Sequence, residues 1–267
     1  MYRTNPWTIE PSYVKLLGFH VSMIVPDLLH AYNLGVGRDV VGSILAIILR
    51  DARVFRGESL ADRLVVASQG LRGFAKRHSY PLRLKKLTKS KLGIKRGQYP
   101  TLASSGYHTF VVATWLEGVL QEHVDVHGDL ATLLWASNRA LSLQYSAGWF
   151  LTEAEKNSIQ SLGSIFLDTY ISLAKGSLQR HEFLFRVRPK LHLMSHVFSS
   201  MRGVNQSKYS TWMDEDFLKK IGRTFGLTSG MTGQKRVLQR WLMAIPLNFQ
   251  KHFGAYNASS DVQLQLP

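Results

Sequence analysis

An aspartate and a histidine three positions apart, Asp27 and His30, form the first pattern in the sequence that could carry chemistry. On a helix the two residues would share a face, where the carboxylate can accept a hydrogen bond from the imidazole and fix its tautomer. That arrangement could serve acid–base chemistry. The same spacing is more commonly that of a local hydrogen-bonded turn, so both interpretations stay open.

Two histidines at positions i and i+4, His192 and His196, have the spacing of two zinc ligands on one helix. No glutamate lies between them, and no third ligand is obvious in the sequence. We therefore expect packed or hydrogen-bonded histidines at these positions and not a metal site.

Three consecutive acids, Asp214, Glu215 and Asp216, come two residues after Trp212 and precede a basic segment. Carboxylate oxygens are ligands that Mg²⁺ prefers, and phosphoryl transfer on DNA commonly uses two such ions held by acids from distant parts of a chain. Acids at the start of a helix are also favourable partners of the helix dipole. The run is compatible with either role.

Several other catalytic signatures are absent from the sequence. No Gly-x-Ser-x-Gly elbow supports a serine triad, and neither a Walker motif nor a complete dinucleotide-binding glycine motif is present. The chain has no cysteine, which excludes disulfides and thiolate zinc sites. These absences leave the acids, the histidines and the basic residues as the candidates.

The chain is strongly basic, with 33 Lys and Arg against 18 Asp and Glu, a formal net charge of +15. Such a charge favours a polyanionic partner, because basic side chains that displace counterions from phosphates gain affinity without reading sequence. Ten basic residues and no acid lie between Leu71 and Arg96, although a solvated surface arm would have the same composition. The candidate DNA contacts are Arg83, Lys85, Lys86, Lys89, Lys91, Lys95 and Arg96, with Lys219, Lys220 and Arg223 nearer the C-terminus.

Helical periodicity dominates the sequence and predicts a mainly α fold. Ser59 with Asp62, and Thr152 with Glu155, have the spacing of capping boxes at two helix starts. Residues 13–24 are β-branched and apolar, and they predict a short β element near the N-terminus. The remaining helices are expected over residues 38–54, 60–78, 106–123, 129–145, 152–178, 190–201, 215–225 and 232–242.

The N-terminus lacks the apolar core of a signal peptide, and the longest apolar run, Val40 to Leu49, is too short to span a bilayer. We expect an intracellular protein that is neither secreted nor membrane-spanning. A DNA partner would place it in the nucleus.

Taken in order, these patterns resemble the later half of the catalytic region of CACTA-type eukaryotic DNA transposases and their degenerate relatives. That family has an interrupted RNase H-like fold, a D-x-x-H box followed by Leu-Gly, a long helical insertion, a Pro-Lys-x-His box and a final Glu on a helix. The likeness covers residues 19–242. The matching segments are Asp27-Leu28-Leu29-His30 with Leu34-Gly35, Pro189-Lys190-Leu191-His192, and Trp212-Met213-Asp214-Glu215.

The resemblance implies a domain organisation. Residues 1–37 would be part of an RNase H-like core, and residues 38–187 would be the helical insertion, which carries the basic stretch at 71–96. Residues 188–253 would form the C-terminal helical part, and residues 254–267 would be a flexible tail.

The resemblance also implies that Glu215 is the third carboxylate of a DDE set and a Mg²⁺ ligand, with Asp216 as the alternative if the alignment slips by one residue. The family's first two aspartates precede the D-x-x-H box, whereas Glu10 is the only acid before Asp27 here. We therefore expect an incomplete or decayed transposase part that binds DNA, whose missing strands would belong to an N-terminal portion of the same protein.

Two other functions stay open. One is a non-catalytic helical module that binds nucleic acid or protein and has no transposase ancestry. The other is a hydrolase in which Asp27, His30 and Glu215 act as acid, base and metal ligand.

Overall fold

A computed structural model describes residues 11–20, 24–199, 204–226, 232, 235–240 and 242–243. The chain divides into two compact units, Met1–Ser210 and Thr211–Pro267. The described residues are mainly helical, which confirms the predicted class. The boundaries expected at residues 37 and 187 both lie within the first unit.

The β element predicted over residues 13–24 is wrong for the part of it that is described. Ser12–Lys15 forms a turn of 3₁₀ helix, and Gly18 adopts a φ of 82°, in the left-handed region that interrupts a strand. The amide of Val14 donates to Pro11 O, and that of Phe19 donates to Leu16 O. Because these amides bond locally, they do not form a ladder, and no strand occurs among the described residues.

A buried helical segment forms the centre of the first unit. It begins as a π-helical stretch, Leu29–Val36, and continues as α1, Gly37–Ile48. Gly35 leaves helical φ/ψ, but the chain is helical on both sides of it. In the described part of the chain, Leu29–Ile48 is the one segment with the length and hydropathy of a membrane span, and 83% of it is buried inside the fold, as in a core helix.

Two of the helices begin at the predicted capping boxes. Ser59 Oγ accepts from the amide of Asp62 at the start of α2, Leu60–Arg77, and the Asp62 carboxylate accepts from the amide of Ser59. Thr152 and Glu155 form the same reciprocal pair before α5, Glu153–Gln179. These bonds satisfy amides that the first turn of a helix leaves without partners.

The other helices of the first unit pack around the central segment. The π-helical stretch and α1 contact α3, Gly106–Gln121, and α4, Val124–Ser146, lies between α3 and α5. Helix α6, Pro189–Ser199, packs on α5 and on the π-helical stretch. The second unit contains α7, Trp212–Gly226.

Candidate nucleic-acid interface and motif residues

The acid-free stretch from Leu71 to Arg96, here called the basic arm, starts on the last turns of α2 and continues as a loop without regular secondary structure. The loop from residue 78 to residue 105 is anchored on the core by four leucines, each less than 7% exposed. They are Leu84, Leu87, Leu92 and Leu102. The arm is therefore part of the folded unit and does not extend freely into solvent.

Backbone hydrogen bonds fix the path of this loop. The amide of Leu87 donates to Ser68 Oγ on α2 (2.9 Å), and the amide of Leu102 donates to Arg38 O on α1 (3.0 Å). A third bond runs from the Ala103 amide to Lys91 O (2.7 Å) and closes the loop on itself. Between these anchors the charged side chains are presented at fixed positions along the chain.

The basic side chains of the arm are directed to solvent. Nine of the ten are exposed, and Lys91 is half-buried. Within the described part of the chain, none of the ten forms an ion pair with an acid. The seven candidate contacts of the arm, from Arg83 to Arg96, thus remain available to an external anion.

His108, at the start of α3, lies against the arm. Its Nε2 accepts from the amide of Arg83 (3.1 Å), and its Nδ1 bonds with Ser105 Oγ (2.8 Å). Burial lowers the pKa of His108, and the positive charges of Arg83 and Lys91 lower it further. Two cations eight positions apart in the arm therefore act on one site, so the loop concentrates positive potential there.

The C-terminal basic candidates lie on α7, in the second unit. Lys219 and Arg223 are exposed on this helix, while the side chain of Lys220 lies outside the described residues. The helix that the sequence predicts over residues 215–225 is confirmed, with bounds a few residues wider.

Asp27 has a structural role before the π-helical stretch. Its Oδ1 accepts from the amide of Leu29 (3.0 Å) and from Ser210 Oγ (3.3 Å), while its Oδ2 bonds with His30 Nδ1. The carboxylate thus joins a helix start to a residue 183 positions later. This is the hydrogen-bonded turn that the spacing of Asp27 and His30 favours.

The first and second motif boxes contact each other. Gly35 O accepts a hydrogen bond from Arg188 Nη2 (3.0 Å), although 153 positions separate the two residues. A Cβ placed on Gly35 would lie 2.7 Å from the backbone oxygen of His30 and 2.7 Å from Cδ of Lys190, so glycine allows both to approach. Burial and the neighbouring Arg188 and Arg38 lower the pKa of Lys190.

An acid that the sequence analysis did not select, Asp39, lies beneath this contact. Its side chain is only 2% exposed, and its Oδ2 lies 2.6 Å from Arg188 Nη2. Burial raises the pKa of the Asp39 carboxyl, and Arg188 opposes that rise. The signal in the sequence is an acid that directly precedes the apolar run from Val40 to Leu49, because a charge beside a buried segment requires a partner.

His192 and His196 pair with each other on α6. Their Nε2 atoms lie 3.0 Å apart, at hydrogen-bonding distance, and both rings are in contact with solvent. No group of three or more potential metal ligands occurs in the described ranges of the chain. The geometry agrees with partner-bonded histidines.

The candidate catalytic acids lie at the start of α7, which begins at Trp212. The side chains of Glu215 and Asp216 lie outside the described residues, and α7 belongs to the second unit. The role of Glu215, or of Asp216, as the third carboxylate and Mg²⁺ ligand therefore stays a prediction.

No family model matches this sequence, and comparison with curated proteins and with solved structures gives no match. The resemblance to CACTA-type transposases accordingly rests on the motif residues alone.

Proposed function

We propose that this protein binds duplex DNA through phosphate contacts of the basic arm, with little preference for sequence. One observation carries the proposal: ten cations have no acidic partner among the described residues, three of them on the end of α2 and seven on the following loop, which is anchored to the core. A phosphate backbone supplies the missing counter-charge, and contacts to it position a protein without reading bases.

The anchoring of the loop also favours binding, because it reduces the entropy cost. A disordered arm would lose backbone entropy when it became ordered on DNA, and that loss would reduce its affinity. The loop from Arg83 to Arg96 is already held through Leu84, Leu87 and Leu92, so its phosphate contacts do not have to order the backbone.

Fluorescence anisotropy with labelled duplexes of unrelated sequence tests this function. We expect similar affinities for all duplexes and a linear decrease of log K with log salt concentration, as counterion release requires. A duplex affinity that does not depend on salt, or a strong preference for one sequence, would contradict phosphate-based binding.

We further propose that the chain derives from a CACTA-type transposase and keeps an incomplete phosphoryl-transfer site. The order of the motif boxes supports this ancestry, and so does the packing of Gly35 against Arg188 and Lys190. The alternative, a helical module without such ancestry, makes a different prediction about the gene. Two spaced aspartates on strands encoded upstream of Met1 would support the transposase origin, and unrelated upstream sequence would favour the module.

The resident Mg²⁺ ions that the family implies do not fit the described residues. A two-ion site needs several converging carboxylates. Asp27 already accepts hydrogen bonds from Leu29 and Ser210 and bonds with His30, so its oxygens are committed to the turn. We therefore derive no catalytic step for this chain.

Supercoiled plasmid incubated with the purified chain and Mn²⁺ tests the incomplete site. We expect no nicking, and we expect Glu215→Gln to leave DNA affinity nearly unchanged, because phosphate contacts lie on the basic surface. Nicking that disappears in Glu215→Gln would show that a complete site exists.

A further inference from the structure

An aromatic pair, formed by the half-buried Tyr99 and the exposed Phe183, lies just beyond the end of the basic arm. Tyr99, three residues after Arg96, contacts Phe183 edge to face, with ring centroids 5.4 Å apart and an interplanar angle of 87°. The guanidinium of Arg186 lies 6.0 Å from the centroid of the Tyr99 ring. Phe183 is 48% exposed, so a large part of its ring faces solvent.

The loop that carries Phe183 is held firmly on both sides of it. The amide of Glu182 donates to Ser177 O (2.9 Å), and the amide of Phe185 donates to the buried Ser43 Oγ (2.9 Å). Tyr170 Oη donates to Arg186 O (2.7 Å). The exposure of Phe183 is therefore imposed by an ordered backbone.

The same loop contains two residues with unfavourable backbone conformations. His181 and Phe185 have φ values of 56° and 52°, which side chains other than glycine rarely adopt. Phe185 is buried, whereas Phe183, two residues before it, faces solvent. Strain of this kind persists only where the surrounding structure enforces it, and it concentrates at functional positions.

We propose that Phe183 and Tyr99 form a stacking site for an unpaired nucleobase of DNA, adjoining the phosphate-binding arm. Exposed aromatic faces beside a cationic surface are the combination with which proteins bind single-stranded nucleic acid, because every base has a π face. Arg186 adds a charge that can stack on a base or contact its phosphate. The inference rests on the proposed DNA binding and extends it from paired to unpaired DNA.

Three labelled probes separate stacking from phosphate contact: oligothymidylate, an abasic oligomer of the same length, and a duplex. Loss of a stacked base costs roughly fivefold or more in affinity. We therefore expect Phe183→Ala to weaken binding of oligothymidylate by at least about fivefold. Its affinities for the abasic oligomer and for the duplex should not change.

Two further variants control the experiment. Phe183→Trp retains an aromatic face and should restore oligothymidylate binding. Phe150→Ala removes another exposed phenylalanine, 77% exposed and outside this pair, and should change nothing. Equal losses for oligothymidylate and the abasic oligomer, or no loss for either, would overturn the stacking site. Absence of binding to all three probes by the unaltered chain would instead overturn the proposed function.

Discussion

At the scale of single residues, the ion pair of the buried Asp39 and the half-buried Arg188 joins distant parts of the first unit. The carboxylate of Asp39, on α1, is buried. The guanidinium of Arg188 faces it and also donates a hydrogen bond to Gly35 O. Removing one partner of an ion pair leaves the other charge buried and uncompensated. The free energy lost in this way exceeds the net stabilisation that the intact pair provides.

We predict that Arg188→Met lowers the free energy of unfolding by about 3–5 kcal/mol near neutral pH. The loss of unfolding free energy should be smaller near pH 4, because Asp39 is then less ionised. Burial holds the pKa of Asp39 above its ordinary value of 3.8, so the stability that this group contributes below that pH is lost as pH rises through the higher folded pKa. Without Arg188 this pKa rises further, and the cost of ionising Asp39 grows. Urea unfolding at both pH values measures the difference.

The double variant Asp39→Asn/Arg188→Met is the control, because it removes the buried charge together with its partner. Its loss of stability should depend less on pH than that of the single variant. Equal losses for Arg188→Met at both pH values would contradict an ionised Asp39 in the core.

The pKa of His108, also a single-residue property, is a probe of the basic arm. Burial and the charges of Arg83 and Lys91 lower the pKa of His108, so the folded protein favours the neutral imidazole. The stability that His108 contributes is therefore present above about pH 6.5 and is lost as the pH falls through the lowered pKa. A bound phosphate would offset the two cations. We predict that duplex DNA raises the pKa of His108, measured by NMR titration. An unchanged pKa at saturating DNA would place the phosphates elsewhere.

At the scale of secondary-structure elements, α1 supports the base of the arm. A Cβ placed on Gly42 would lie 2.6 Å from the backbone N and Cα of Thr101, one residue before the anchor Leu102. Backbone atoms cannot move aside as a flexible side chain can. The glycine therefore sets how closely the end of the loop from residue 78 to residue 105 packs on α1.

We predict that Gly42→Ala destabilises the protein by about 1–3 kcal/mol, because it overpacks this contact. Gly118→Ala is the matched control, since nothing lies within 4 Å of the added methyl group in α3. That control should be neutral or stabilising by up to about 1 kcal/mol. Thermal unfolding compares the two variants. A Gly42→Ala protein as stable as the Gly118→Ala protein would show that the loop does not pack on α1 at Thr101 as described.

The helices that were predicted well are those with local signals. Ser59 with Asp62 and Thr152 with Glu155 cap their own helices, so their spacing alone was sufficient. The strand over residues 13–24 was predicted from residue types, but a strand also needs a partner, and none occurs among the described residues. The π-helical stretch was missed because its contacts with Arg188 and Lys190 are long-range.

At the scale of the whole molecule, the charge pattern of the sequence indicates the basic arm as a candidate interface, but it does not indicate that the arm is anchored to the core. The charge run from Leu71 to Arg96 is visible in the sequence, whereas Leu84, Leu87 and Leu92 have a spacing that also suits one face of a helix and does not predict a buried loop. In the fold they belong to the same hydrophobic core as buried residues of α1, α2 and α3. The Tyr99–Phe183 pair was equally hidden, since 84 positions separate its members and only the fold brings them together.

The central claim is that phosphate contacts concentrate on the basic arm and do not result from net charge alone. Two quadruple alanine variants of equal charge test it. One replaces Lys85, Lys86, Lys89 and Lys91 in the arm, and the other replaces four cations outside it, Lys15, Arg56, Arg139 and Lys175, all exposed. Each lowers the formal net charge from +15 by four, to +11.

The measurement is the slope of log K against log salt concentration for duplex DNA. Each lost phosphate contact removes roughly 0.9 from that slope, so the arm variant should lose up to about 3.6 and bind more weakly at every salt concentration. The control variant should keep nearly the whole slope. Equal slopes for the two variants, or an unchanged slope in the arm variant, would contradict the assignment of the basic arm as the DNA-binding surface.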